Sequence, residues 1–182
     1  MKSFEYIQPK NLKEASQLLS GGWKEALPYA GGTDLYGMLK HDIMPPEKII
    51  NLKTIQGLDQ ITFDAKKGLR IGALVRVEQV AEHELIDEKF SVLAQAAREV
   101  ASPQLRNMGT LGGNICQRPR CWYFRGEFDC LRKGGDQCYA VGGENPYHCI
   151  FGGENCFIAH PSDTAPALVA LQAWGDRYSP AP

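Results

Sequence analysis

Hydrophobic positions along the chain change period several times. Leu12, Ala15, Leu18 and Leu19 recur at helical spacing, Asn11 stands at the N-cap with Glu14 three residues on, and Gly21-Gly22 stops the run. Ala26-Leu27-Pro28-Tyr29-Ala30 is short and apolar, as a strand is. It leads into Gly31-Gly32-Thr33-Asp34, which opens a second helix bearing Leu35, Met38 and Leu39. Lys48-Ile49-Ile50-Asn51-Leu52 reads as another strand, so strand, glycine turn, helix and strand predict a small parallel βαβ lobe over residues 1–55. A second, larger lobe over residues 56–182 has a different texture. Ile61-Thr62-Phe63 and Leu69-Arg70-Ile71-Gly72-Ala73 predict a hairpin turning through Asp64 to Gly68. A helix beginning at Asp87 puts Phe90, Leu93, Ala97 and Val100 on one face and ends at Ser102-Pro103. A glycine-rich loop from Gln104 to Asn114 follows, then a cysteine segment and a strand Cys156-Phe157-Ile158-Ala159. Ser162 caps a last helix from Asp163 to about Ala173, with Pro166 in its first turn.

Composition narrows the classes. The 182 residues are 43% hydrophobic, enough for one or two domains with a buried core. Lys and Arg number 20 against 21 Asp and Glu, a net charge of −1, so nothing is in excess to neutralise a phosphate backbone and no nucleic-acid partner is expected. No apolar run approaches the roughly 20 residues that cross a bilayer. Met1-Lys2-Ser3-Phe4-Glu5 has no signal-peptide pattern, which leads to the expectation of a cytoplasmic protein without membrane contact.

The glycine turns suggest a ligand. Two glycines between strand and helix let backbone N–H groups approach an anion without Cβ obstruction, at the positive end of the following helix, and Thr33 adds a hydroxyl. The plain alternative is a tight strand–helix turn. The pattern is not the Gly-x-Gly-x-x-Gly of a nicotinamide-binding fold. Arg106-Asn107-Met108-Gly109-Thr110-Leu111-Gly112-Gly113-Asn114 repeats the chemistry, and two such loops suit a diphosphate gripped from two sides. His41, His83, His148 and His160 have no partner arrangement for nucleophilic catalysis and read as structural or surface residues.

All six cysteines lie between Cys116 and Cys156, and in a chain without an export signal such clustering points to a metal or cluster. The segment's charges balance, with Arg118, Arg120, Arg125, Arg132 and Lys133 against Glu127, Asp129, Asp136, Glu144 and Glu154. Its few aliphatic residues cannot make a core alone, and a bound metal would supply folding energy. Four thiolates suit zinc or a [4Fe–4S] cluster equally, and disulfides would need an oxidising compartment; spacing leaves the choice open.

Ala30-Gly31-Gly32-Thr33-Asp34-Leu35, then Gln104 to Asn114, then Ser162-Asp163-Thr164-Ala165-Pro166-Ala167-Leu168 come in the order seen in FAD-binding medium subunits of the xanthine dehydrogenase and molybdenum hydroxylase family. The chain resembles them over residues 3–173. Cys121-Trp122-Tyr123-Phe124, the stretch Cys130 to Cys138 and Asn155-Cys156 resemble the extra loop of a [4Fe–4S]-containing subgroup of aldehyde oxidoreductases and 4-hydroxybenzoyl-CoA reductases. The resemblance implies cluster ligands Cys121, Cys130, Cys138 and Cys156, with Cys116 and Cys149 as free thiols. It implies an FAD site at Ala30, Gly31, Gly32, Thr33, Asp34, Leu35, Arg106, Thr110, Gly112, Gly113 and Asn114, with Asp163 near the ribose or diphosphate. The implied fold is α+β, of the vanillyl-alcohol-oxidase/PCMH kind. The small βαβ lobe is followed by a larger lobe with an antiparallel sheet and a cysteine-rich insertion at about 116–156, and FAD lies between the lobes.

The implied role is electron relay. Substrate is hydroxylated at a molybdenum cofactor on one partner subunit, electrons pass through [2Fe–2S] centres on another, and FAD delivers them to an acceptor without a catalytic side chain. Such a complex sits in the cytoplasm, or in the periplasm by co-export with a partner. Family members continue past the Ala-Pro-Ala-Leu helix, whereas here a polar tail, Gly175 to Pro182, follows. The expectation is a C-terminally truncated chain with an incomplete larger lobe. The competing reading is a zinc-stabilised interaction module, or a vestigial fragment, without flavin.

Overall fold

The computed structural model describes residues 1–176 and 178. The small lobe is built as its pattern predicts, with one addition. Strand β1 (Glu5–Ile7) precedes helix α1 (Leu12–Leu18), strand β2 (Ala26–Tyr29), helix α2 (Leu35–Lys40) and strand β3 (Lys48–Asn51). All three strands are parallel in the order β1-β3-β2, with Ile49 facing Tyr6 on one side and Leu27 on the other. β1 escapes a periodicity reading because it is three residues long and half of its apolar signal, Tyr6, is exposed. Ala15 of α1 packs with Ala26, Ile50 and Ile55. Asn11 caps α1 by accepting from Glu14 N at 2.9 Å, while the Glu14 carboxylate accepts from Lys10 N at 2.8 Å, one residue upstream of the reciprocal capping-box donor.

The larger lobe is more helical than its sequence suggests. Strands β4 (Ile61–Asp64) and β5 (Gly68–Ile71) form the expected hairpin, which is the whole of the antiparallel sheet among the described residues. Its apolar residues Ile61, Leu69 and Ile71 lie on a core of Val75, Val77, Val80, Ile86, Leu93 and Ala97. Helices α3 (Val77–Glu82), α4 (Glu84–Lys89) and α5 (Ser91–Glu99) supply most of it. The helix expected from Asp87 is therefore two helices. Phe90, at φ −135° and ψ 41°, breaks the run because its ring turns into the core.

The expected glycine-rich loop is largely helical too. Ser102-Pro103 starts a helix as well as ending one: the Ser102 hydroxyl accepts from Leu105 N, Pro103 takes the first turn of α6 (Pro103–Met108), and Thr110 caps α7 (Leu111–Ile115). Within the cysteine segment only α8 (Trp122–Arg125) is a full helical turn, and Cys156–Ala159 forms no strand, only an isolated bridge from Ile158 to His148. The last helix, α9 (Thr164–Ala170), is shorter than expected. Ser162 rather than Asp163 supplies the cap bond, accepting from Ala165 N at 3.1 Å. Of the tail, residues 177 and 179–182 lie outside the described residues. No helix among the described residues is long and apolar enough to cross a membrane.

The cysteine segment shares a core instead of making one. Phe124 and Cys130 are buried against Met38, Ile43 and Met44 of the small lobe, with Trp23 and Tyr139 alongside. Its two ends are held together. The Asn114 side-chain oxygen accepts from Ser162 Oγ at 2.5 Å and Thr164 Oγ1 at 2.7 Å, and Gln117 Nε2 donates to Pro161 O at 3.2 Å.

Candidate functional site

The fold brings the two glycine turns into contact. A methyl group at Gly31 would collide with the Met108 carbonyl oxygen, and one at Gly109 would lie 3.5 Å from Thr33 Oγ1. Glycine is thus required at position 31 by close approach of two backbones. Gly32 has φ +73°, and any Cβ there would strike the Tyr29 ring. Beneath the turn, Lys53 Nζ lies 3.6 Å from the centre of that ring and donates to Ala30 O at 2.9 Å. Partial burial of the ammonium holds the Lys53 pKa below the ordinary lysine value.

The two turns differ in what they offer a ligand. Among the described residues no acceptor meets the backbone N–H groups of Gly31, Gly32, Thr33, Asp34 or Leu35. In the second turn the donors from Leu111 to Asn114 are spent. Leu111 N donates to Val75 O at 2.8 Å, Gly112 N to Ala73 O at 3.0 Å, Gly113 N to Thr110 Oγ1 at 3.1 Å and Asn114 N to Thr110 O at 2.8 Å. The first turn therefore offers a run of open donors to an anion, while the second, Thr110 N apart, has its donors packed into the fold.

Several candidate side chains have other partners. Arg106 Nε meets Glu78 Oε2 at 2.6 Å, and its Nη1 donates to the carbonyls of Arg98 and Val100 at 2.9 and 3.2 Å, so its guanidinium closes the end of α5. Thr110 is buried as a helix cap, and Asn114 holds the start of α9. Asp163 is exposed at the cap position of α9 and makes no cap bond. Asp34 turns its carboxylate to the cysteine segment, accepting from Arg118 N and Arg125 Nη2, each at 2.8 Å, with Arg120 Nη1 at 3.0 Å.

The same segment gathers the cysteines. Cys121, Cys130, Cys138 and Cys156 line one small cavity with Tyr123, Phe124, Tyr139 and Ile158, while Cys116 is exposed and Cys149 lies off its wall. Among the described residues no three Cys, His, Asp or Glu side chains converge as donors to a single ion. The cavity nevertheless sets nitrogen atoms beside sulfur. Arg132 Nε donates to Cys156 Sγ at 3.0 Å, and His148 Nε2 lies 3.3 Å from Cys121 Sγ. His148, read as a structural or surface residue, stands on this cavity wall, and its Nδ1 is buried with no partner among the described residues. Nothing in the spacing of His148 signals this, because the contact spans 27 residues.

The profile of the FAD binding domain in molybdopterin dehydrogenase matches residues 2–175. The chain belongs to this family of flavin domains. Among curated relatives of the flavin domain, the aldehyde oxidoreductase FAD-binding subunit PaoB of Escherichia coli (strain K12) is 38% identical over 99% of the chain and 57% of its own length. The nicotinate dehydrogenase FAD-subunit of Eubacterium barkeri is also 38% identical, over 63% of the chain and 39% of its own length. The chain thus spans little more than half of the longer match. Among solved structures, the reconstituted CO dehydrogenase from Oligotropha carboxidovorans superposes with a TM-score of 0.59 at 31% identity, covering 63% of the chain and 40% of the other.

Proposed function

We propose that this flavin domain belongs to the electron-relay subunit of a molybdenum-dependent hydroxylase of aldehyde or aromatic substrates. In this reading it binds FAD and a [4Fe–4S] cluster, and its partners are a molybdenum-cofactor subunit and a [2Fe–2S] subunit. The observation that carries the reading is the meeting of four distant cysteines on one cavity whose wall packs against α2, the helix that begins at the flavin turn. The residues fit both groups. The first glycine turn offers free N–H donors to a diphosphate, and Cys121, Cys130, Cys138 and Cys156 would hold the cluster. Bound FAD supplies the exchange between one- and two-electron carriers, while the chain's own residues orient it and hold it by backbone donors. Match length is consistent with this reading: the aldehyde oxidoreductase subunit aligns with 99% of the chain, and the nicotinate dehydrogenase subunit with 63%. Reduced thiols in such a site suit the cytoplasm.

The test is an absorption spectrum of anaerobically purified protein before and after dithionite, with iron, sulfide and zinc counted. Flavin bands and a broad iron–sulfur shoulder, both bleaching, are the expected result. Stoichiometric zinc in a colourless protein would replace this reading with that of a zinc-stapled interaction module.

A further inference from the structure

Asp34 sits inside the flavin turn, yet its carboxylate is committed elsewhere. It occupies the cap position of α2 without making a cap bond. One oxygen accepts from Arg118 N at 2.8 Å, and the other meets Arg125 Nη2 at 2.8 Å and Arg120 Nη1 at 3.0 Å. Arg125 folds back on the same stretch, donating through Nε to Pro119 O at 2.8 Å and through Nη2 to Arg118 O at 3.2 Å. The Asp34 and Arg125 side chains are 16% and 21% exposed, whereas Arg120 is 59% exposed, so the Arg125 and Arg118 contacts dominate. Arg125 ends α8, which begins beside Cys121 and buries Phe124 against Met38 of α2. A single carboxylate therefore joins the backbone that meets the ligand to the helix that starts at a cluster cysteine.

We propose that Asp34 is a positioning residue that ties the flavin turn to the cysteine segment, so that ordering either one orders the other. This rests on the flavin and cluster reading above and adds to it a coupling between the two sites. The coupling follows from removing one partner of a shielded, hydrogen-bonded ion pair, which leaves the arginine without its counter-charge and the Arg118 N–H with a weaker acceptor. Because the free energy of coupling is reciprocal, flavin seated on the turn stabilises the segment as much as an ordered segment stabilises bound flavin.

Hydrogen exchange on the full chain tests this, with wild type, Asp34→Asn and Asp34→Glu compared with and without added FAD. Without flavin, Asp34→Asn exchanges roughly tenfold faster over residues 116–131 and over the turn at 30–35, with α3 and α5 unchanged, and Asp34→Glu recovers much of the protection. With flavin, protection spreads to residues 116–131 in wild type and stays at the turn in Asp34→Asn. Equal protection of the segment in wild type and Asp34→Asn, or faster exchange reaching α3 and α5, would overturn the proposal. If wild type takes up no FAD, the flavin reading fails, and the comparison without flavin still decides whether Asp34 ties the two segments.

Discussion

Glycine 31 and glycine 37 lie six positions apart and face opposite demands. Gly31 has the Met108 carbonyl where a side chain would stand, and backbone atoms cannot swing aside as a side chain does. Gly31→Ala is expected to cost about 1–3 kcal/mol by overpacking and to weaken FAD roughly tenfold, read by denaturant melts and by a fluorescence titration with FAD. Gly37 is interior to α2 with open space around it. Gly37→Ala should gain about 0.5–1 kcal/mol in the same melts and leave flavin affinity alone, because it removes only the entropic penalty of glycine in a helix. The Gly-Gly pair was legible in the sequence as a special turn. What fixed it to Met108 was a contact between residues far apart in the chain, and no local pattern encodes that.

Among elements, the short helices explain most departures from the sequence reading. Phe90 breaks one expected helix because burying its ring in the α3–α5 core outweighs continuing the run. Ser102, Pro103 and Thr110 are all cap-type residues, so α6 and α7 were encoded locally, but the intervening glycines masked them. Helix α8 depends on its surroundings, being one turn long and held by Phe124 in a core shared with Met38, Ile43 and Met44. Phe124→Ala should cost about 3–5 kcal/mol of the segment's docking energy. In hydrogen exchange, residues 116–140 would lose protection while α3 and α5 keep theirs; a uniform loss across the chain would mean that the two cores unfold as one unit.

For the whole molecule, the cysteine segment behaves as an insertion between two points that already touch. Asn114 accepts from Ser162 and Thr164, and Gln117 reaches Pro161, so the chain leaves and re-enters the larger lobe at one place. Replacing residues 118–160 by a short Gly-Ser linker should therefore leave the α3, α5 and α9 core folded, since closing a shorter loop costs little entropy. Circular dichroism and a single cooperative melt would verify this; loss of cooperative unfolding would show that the segment is part of the main core. The same shortened chain should bind FAD more weakly than the full chain, because the partners of Asp34 leave with the segment.

The sequence by itself determined the parallel βαβ lobe, the hairpin, the capped first helix, the special glycine turn and the grouping of cysteines. Each of these rests on local period, on caps, or on residues adjacent in the chain. Only the tertiary structure decided that the N–H groups of Gly31 to Leu35 meet no acceptor among the described residues, that Arg106 closes a helix end, that His148 and Arg132 stand at the cysteine cavity, and that the Asp34 carboxylate meets Arg118 and Arg125. The physical reason is common to all four. A hydrogen-bond donor or acceptor has its partner chosen by packing across 27, 28 or 91 residues of chain, and spacing along the sequence holds no record of that choice.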